Sequence, residues 1–165
     1  MEYLRSKSTP QFVLTQQVHV GNLPWDPRSG PRTSMVGLLV ITHIGLGNCL
    51  IECAAHVLGE RPQFTMSLGV QPHDKPESVL ARAREMVRLL DQGDGVLILT
   101  DMLGATPSNI ARQLLRPGRV EALAGVNLPM IVRALTYRNE PLDTVAEKAM
   151  SGCIAGALRM EMKEC

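Results

Sequence analysis

The chain has 165 residues, the size of one ordinary domain, with 45% hydrophobic and 20% charged residues, which excludes a disordered chain and an integral membrane protein. Aromatic residues make up only 3%, so there is no platform on which nucleic-acid bases could stack. The 17 basic residues nearly cancel the 16 acidic ones. Residues 35–165 carry thirteen basic and fourteen acidic residues, and this near-neutral charge argues against a nucleic-acid partner.

Cysteine usage and hydropathy indicate the compartment. The four cysteines, at positions 49, 53, 153 and 165, lack the density and spacing of a secreted disulfide framework, and no signal-peptide apolar region opens the chain. The longest strongly apolar run, residues 36–41, is far shorter than the ~20 residues that cross a bilayer. We therefore expect a cytoplasmic protein without direct membrane insertion.

Residues 1–34 differ in character from the rest of the chain. They contain four prolines and show no sustained period of 2 or 3.6 residues, which predicts a disordered N-terminal extension. A tag, an upstream start and a genuine tail all fit this composition. From Met35 an abrupt apolar pattern begins, so we place one folded domain at residues 35–165.

Short apolar runs alternate with helical patterns from residue 35 onward. Runs this continuously apolar are typical of parallel strands covered on both faces, which predicts an α/β fold. The predicted strands are residues 36–41, 64–70, 95–99 and 120–124.

Helices are expected between and after these strands. The first covers residues 48–58, with Leu50, Cys53, Ala54 and Val57 as its apolar face and Gly59 as its C-cap. The other four begin at Asp74 (with Glu77 in capping-box spacing), at Thr106 as N-cap before Pro107, at Asn127, and near Pro141.

The end of the chain has a different period. Leu158, Met160 and Met162 alternate with charged residues over residues 157–163. Period 2 predicts a half-exposed terminal strand, and an edge strand of this kind invites pairing with another chain.

Two loops at strand ends carry the candidate chemistry. The first strand leads into His43, followed by Gly45 and Gly47, and the third leads into Asp101. In an open parallel sheet, ligands bind beyond the carboxyl ends of the strands. A neutral imidazole whose second nitrogen is held by a carboxylate is a nucleophile, so the pair is a plausible phosphoryl acceptor, and a helix starting at Thr106 would add amide donors.

Simpler interpretations of these residues stay open from the sequence alone. His43 can be an ordinary loop histidine, and Asp101 can serve only to hold the turn before Thr106. The Gly45-Leu-Gly47 segment begins like a dinucleotide fingerprint but lacks the third glycine and the later acidic residue. Cys49, Cys53 and His56 have helical spacing that would suit a soft metal, although such residues are more often small packing groups. We expect no metal and no cofactor.

Three segments resemble the enzyme IIA component of the mannose family of the bacterial phosphoenolpyruvate-dependent sugar phosphotransferase system. They are VITHIG at residues 40–45, TDMLGATPSN at residues 100–109 and AGVNLPMI at residues 124–131, and the resemblance covers residues 35–165. It implies a doubly wound, four-stranded parallel sheet of order 2-1-3-4 with helices on both faces. It also implies a homodimer in which a C-terminal antiparallel strand is exchanged, in agreement with the period-2 tail.

The resemblance assigns roles to individual residues. It implies that His43 accepts a phosphoryl group, through Nε2, from the phosphocarrier protein HPr and passes it to an enzyme IIB component, with Asp101 accepting from Nδ1–H. It places Thr106 where serine is common, and Ala105 where a second glycine follows Gly104. We expect the backbone and side-chain donors of Gly45, Gly104, Ala105 and Thr106 to bind phosphate.

Two other functions fit the same site. A regulatory module could act through the phosphorylation state of His43 by binding a regulatory protein, without a sugar permease. The phosphotransfer subunit of dihydroxyacetone kinase is also similar, although the AGVNLPMI segment favours the mannose type. Sugar specificity is not encoded in these motifs.

Overall fold

Four parallel strands form one sheet at the centre of the fold. The computed structural model describes residues 35–160, which belong to one compact unit. The sheet order is β2-β1-β3-β4, so the predicted doubly wound topology is confirmed. The strands are β1 (Gly37–His43), β2 (Thr65–Val70), β3 (Val96–Thr100) and β4 (Val120–Ala124).

Five helices cover the two faces of this sheet. They are α1 (Leu46–Leu58), α2 (Pro76–Leu90), α3 (Thr106–Arg112), α4 (Leu128–Thr136) and α5 (Leu142–Ala155). Alternate residues of each strand point to opposite faces, so Leu38 and Val40 pack with α1, α4 and α5, while Leu39 and Ile41 pack with α2 and α3. The two cores explain why the central strands are apolar without interruption.

The structure corrects the predicted face of α1. Cys53 and Val57 are exposed, and the buried line consists of Gly47, Ile51 and Ala54. A Cβ at Gly47 would lie 2.5 Å from Ser67 Oγ on β2. The helix therefore approaches the sheet through its small residues, and this rotates the larger side chains at 53 and 57 outward.

The ends of α2 and α3 also differ from the prediction. Helix α2 begins at Pro76 with Lys75 as N-cap, and Asp74 Oδ2 instead accepts from the Gln71 N–H at 2.9 Å. Proline at the first helical turn needs no capped N–H, so the capping box was wrong. Thr106 lies inside α3, whose N-cap is Ala105.

Other helix boundaries are confirmed. The Asn127 side chain caps α4 by accepting from the Met130 N–H at 2.9 Å, and Gly59 follows α1 in the left-handed conformation with φ of 79°. Helix α5 follows Pro141 as predicted.

The described part of the C-terminus does not contain the predicted strand. Residues 157–160 follow α5 without regular secondary structure, and residues 161–163 lie outside the described residues. A strand is stabilised by pairing, and in the single chain residues 157–160 are not paired with β4. The predicted disordered extension, residues 1–34, also lies outside the described part.

Candidate functional site

The site lies where the connections of two adjacent strands diverge. β1 and β3 are neighbours, with Ile41 opposite Thr100 near their carboxyl ends. The chain after β1 enters α1 on one face of the sheet, and the chain after β3 enters α3 on the other. A crevice therefore opens at the point where ligands bind in doubly wound sheets, and the topology places His43 and Asp101 at its mouth.

The structure brings the two predicted catalytic side chains into direct contact. His43 Nδ1 lies 2.8 Å from Asp101 Oδ2, and the His43 backbone N–H donates to the same oxygen at 2.8 Å. An ionised carboxylate can only accept, so Nδ1 carries the proton and Nε2 keeps a free lone pair. Because one oxygen holds both the backbone and the ring, the orientation of the imidazole is determined by Asp101.

Asp101 is held in its ionised form. Burial raises its pKa, but hydrogen bonds from the His43 backbone N–H, the His43 ring and the Met102 N–H, together with the attraction of the His43 ring when it is protonated, lower it by more, and the net pKa lies below its usual range. The carboxylate therefore stays charged at neutral pH and can stabilise positive charge on the imidazole.

The reactive face of His43 is open to solvent. Its side chain is 47% exposed, whereas that of Asp101 is 13% exposed. The histidine lines a cleft of about 310 Å³ together with Ile44, Thr106 and residues from the segment after β2. The nitrogen that carries the lone pair can thus be reached from outside, while its orienting partner is largely covered.

The predicted phosphate-binding residues are not equivalent. Thr106 lines the cleft with His43, and its hydroxyl has no hydrogen-bond partner among residues 35–160. The Gly104 N–H, in contrast, donates to Ser108 Oγ at 2.9 Å, and the Ala105 N–H points to the Met102 carbonyl at 3.4 Å. Gly45 adjoins the site as the N-cap of α1. Thr106 therefore combines a free donor with a place in the cleft, whereas Gly104 would have to give up its internal bond.

One residue of the site was missed by the sequence analysis. Ile44, directly after His43, has φ of 50°, a left-handed conformation that costs a residue with a Cβ about 1 to 2 kcal/mol. Its N–H donates to the Val70 carbonyl, and its own carbonyl oxygen lies where a Cβ on Gly69 would be, at 1.9 Å. The turn after His43 thus depends on a glycine on the neighbouring strand, which no local pattern around position 44 indicates.

The residues of the alternative metal and nucleotide sites belong to α1 and to the turn before it. Cys49, Cys53 and His56 are exposed on α1, and no group of three potential metal-ligating side chains occurs within residues 35–160. Of the glycine pair after His43, Gly47 serves the fold, since it lets α1 approach β2 closely, and its N–H donates to the buried Thr42 Oγ1 at 2.8 Å.

Exposed apolar side chains lie next to both reacting residues. Ile44 is 61% exposed, and Met102 and Leu103, which follow Asp101, are 60% and 73% exposed. Large apolar side chains that cluster around an open nucleophile are typical of a surface to which another protein binds. The arrangement is suited to nucleophilic attack by Nε2 on a group that a macromolecular partner presents.

Comparison with protein families and curated proteins gives a consistent result. A family model, EIIA-man, described as "PTS system fructose IIA component", matches residues 37–150. The "PTS system mannose-specific EIIAB component" of Escherichia coli (strain K12) is 29% identical over 106 residues. That match covers 64% of this chain and 32% of the relative, so the chain corresponds to about a third of that protein.

Solved structures share the fold at low sequence identity. The mannose/sorbose-specific IIA subunit of the phosphotransferase system from Enterococcus faecalis superposes with a TM-score of 0.71 at 18% identity, over 80% of this chain and 99% of that one. A sigma-54 interaction domain protein from Enterococcus faecalis gives a TM-score of 0.63 at 15% identity, over 74% and 93%. No transmembrane-type helix, long and apolar enough to cross a bilayer, is found within residues 35–160.

Proposed function

Because the chain belongs to the EIIA-man family of phosphotransferase-system components, we propose that it is a phosphoryl carrier whose acceptor is His43. Family membership supports a phosphotransfer role in the sugar phosphotransferase system. In this proposal His43 receives the group from phosphorylated HPr and passes it to an enzyme IIB component. The observation that carries the assignment is the 2.8 Å contact between His43 Nδ1 and Asp101 Oδ2 beside a half-exposed ring.

The transfer step follows from this geometry. The Nε2 lone pair of His43 forms a new P–N bond while the P–N bond to the imidazole of HPr breaks, and no water or metal takes part in the exchange. Nδ1–H stays hydrogen-bonded to Asp101, whose negative charge stabilises the positive charge that accumulates on the ring. Onward transfer is the same step with the acceptor protein in place of HPr.

Thr106 is the proposed contact for the transferred oxygens. Its hydroxyl lines the same cleft as His43 and lies in the first turn of α3, where the helix dipole favours negative charge. Asp101 is negative and contacts His43, so it repels the phosphoryl group. A neutral donor such as the Thr106 hydroxyl offsets this repulsion and thereby assists binding. Gly45, Gly104 and Ala105 are secondary candidates, because none of them lines the cleft with His43 and the N–H groups of Gly104 and Ala105 point to acceptors within the loop.

The shape of the site supports a protein as the phosphoryl donor. A cleft of about 310 Å³ that leaves the His43 ring 47% exposed does not enclose a substrate, whereas it admits a side chain presented by another protein. Met102 and Leu103, which follow Asp101 in the chain, are exposed apolar side chains that a partner protein could cover. The cysteine usage and the proposed partners are consistent with a cytoplasmic location.

Labelling tests the assignment directly. The full chain is incubated with phosphoenolpyruvate labelled in its phosphoryl group, enzyme I and HPr. We expect an acid-labile, base-stable phosphate on the wild type, no label on His43→Ala, and full label on His56→Ala, which removes an exposed histidine of α1. Persistent labelling of His43→Ala, or none of the wild type, contradicts the proposal.

Adding an enzyme IIB component separates the two functions that use this site. A carrier loses its label to enzyme IIB within the time of the assay. A regulatory module, the alternative inferred from the sequence, accepts the label and does not pass it to enzyme IIB. Retention of label in the presence of the cognate enzyme IIB would favour the regulatory function.

A further inference from the structure

The backbone conformation of Ile44 is unfavourable for the residue that occupies it. With φ of 50°, the position suits glycine, which adopts left-handed conformations without a Cβ penalty. A β-branched side chain is among the least suited to this region. The turn itself needs only the backbone, through the Ile44 N–H to the Val70 carbonyl and the Ile44 carbonyl beside Gly69.

The Ile44 side chain contributes little to the packing of the fold. It is 61% exposed and belongs to neither of the two hydrophobic cores that cover the sheet. A glycine at this position would remove the strain and lose only the covered, smaller part of a side chain that is mostly exposed. Stability of the single chain therefore does not account for an isoleucine here, and the side chain must be explained by something that binds to the surface.

The position of Ile44 identifies what covers it. It follows His43 in the chain and lines the same cleft as His43 and Thr106. Under the proposed function, a donor protein must bring its phosphorylated histidine to within bonding distance of His43 Nε2. A protein at that distance necessarily lies over the residue beside the ring.

From these three observations we infer that Ile44 is a docking residue for the phosphoryl-donor protein, and this inference rests on the proposed function. Its side chain supplies apolar contact to the partner surface around the phosphorylated histidine, and Met102 and Leu103, which follow Asp101 in the chain, are exposed apolar side chains as well. The strained backbone at position 44 thus accompanies an apolar side chain that contacts the donor protein, at a position where glycine would be less strained.

Single-turnover phosphorylation of the chain by an excess of purified phospho-HPr, measured over a range of phospho-HPr concentrations, tests this role, with KM denoting the half-saturating concentration and kcat the limiting rate. The informative variants are Ile44→Gly, which removes the side chain and the strain, and Ile44→Asn, which keeps a residue tolerant of positive φ but removes the apolar contact. We expect each to raise KM for phospho-HPr about tenfold, the loss that follows from removing one buried aliphatic side chain, with kcat within about twofold of the wild type. Ile44→Gly should also raise the melting temperature.

Two control variants complete the design. Ile44→Val keeps an apolar β-branched side chain, and its KM should therefore stay near the wild-type value. Leu89→Asn removes an apolar side chain that is 47% exposed on α2 and does not line the cleft, and it should leave KM unchanged.

Each outcome separates the inference from the function on which it rests. Wild-type KM in both Ile44→Gly and Ile44→Asn overturns the docking role while leaving the carrier intact. A fall in kcat at unchanged KM also overturns it, because Ile44 would then act on the placement of the ring. Failure of the wild type to accept phosphate contradicts the proposed function itself.

Discussion

At the level of single residues, the two carboxylate oxygens of Asp101 accept hydrogen bonds from different partners. Oδ2 accepts both from the His43 backbone and from its ring, and Oδ1 accepts from the Met102 N–H at 2.9 Å. This division makes the carboxylate difficult to replace, because all three partners require an acceptor and an amide offers only one oxygen. The pair is therefore more specific than the presence of a histidine and an acid in one cleft would suggest.

We expect Asp101→Asn to slow phosphoryl transfer on the order of 10²-fold. If the amide oxygen replaces Oδ2, its NH₂ group faces the Met102 N–H; if it is flipped, the NH₂ group faces His43 and disfavours the tautomer with the proton on Nδ1. In both orientations the negative charge that supports the ring is lost. Single-turnover transfer from phospho-HPr measures the effect, with circular dichroism as the control for folding. Wild-type rates in the variant would remove Asp101 from the mechanism.

The same carboxylate predicts a pH dependence of stability. Since the pKa of Asp101 is lower in the folded state, the ionised form stabilises the fold above the unfolded-state pKa of about 4, and this contribution is lost as pH falls through the folded-state pKa. Urea unfolding at neutral pH and at about pH 3 should show a smaller acid-induced loss in Asp101→Asn than in the wild type. Glu147→Gln, on an exposed position of α5, is the matched control. Equal losses in Asp101→Asn and the wild type would contradict this assignment.

At the element scale, the turn from β1 into α1 depends on β2. Thr42 pairs with Gly69 in the register of the two strands, and the Ile44 carbonyl occupies the space that a side chain at 69 would take. Gly47 then brings α1 against Ser67. Gly69 on β2 and Gly47 on α1 thus allow the close contacts that position the turn after His43.

Gly69→Ala should therefore destabilise the fold by about 1 to 3 kcal/mol, because the new Cβ meets backbone that cannot rotate away. Gly45→Ala is the control, since a Cβ there meets nothing within 4 Å and the expected change is small. Chemical denaturation measures both. Combining Gly69→Ala with Ile44→Gly should recover part of the loss, because the turn can then relax, and a strictly additive double variant would contradict the coupling.

At the scale of the whole molecule, the sheet has two edge strands, β2 and β4. The end of the chain carries exposed apolar side chains, with Ile154 at 69% and Leu158 at 74% exposure. The homodimer with an exchanged terminal strand, implied by the family resemblance, would cover such groups and the β4 edge. It stays a prediction for this chain.

Deleting residues 157–165 tests that assembly. If the terminal strand is exchanged, the truncated chain should sediment as a monomer at concentrations where the full chain is a dimer, because its β4 edge loses the partner strand. The control is Leu89→Asn, which alters an exposed apolar residue of α2 and should leave the dimer intact. A truncated chain that remains dimeric would show that the interface lies elsewhere.

Periodicity located the elements well and their ends less well. Uninterrupted apolar runs found all four strands, because both faces of the sheet are covered by helices. The apolar face of α1 was wrong at Cys53 and Val57, since close approach through Gly47 rotates the helix in a way that hydrophobicity alone does not indicate. The predicted Asp74 cap was wrong because α2 begins at Pro76. A capping pattern considers only side-chain caps and does not include a proline that begins the helix without one.

The α/β alternation, the residues at the strand ends and, through its motifs, the family can be inferred from the amino-acid order, because these features depend on local sequence. Three contacts are visible only in the folded chain: β1 lies beside β3, one Asp101 oxygen holds both the backbone and the ring of His43, and Ile44 turns against Gly69. These contacts join residues that are far apart in sequence, and their geometry arises from the packing of helices on a sheet rather than from any local preference.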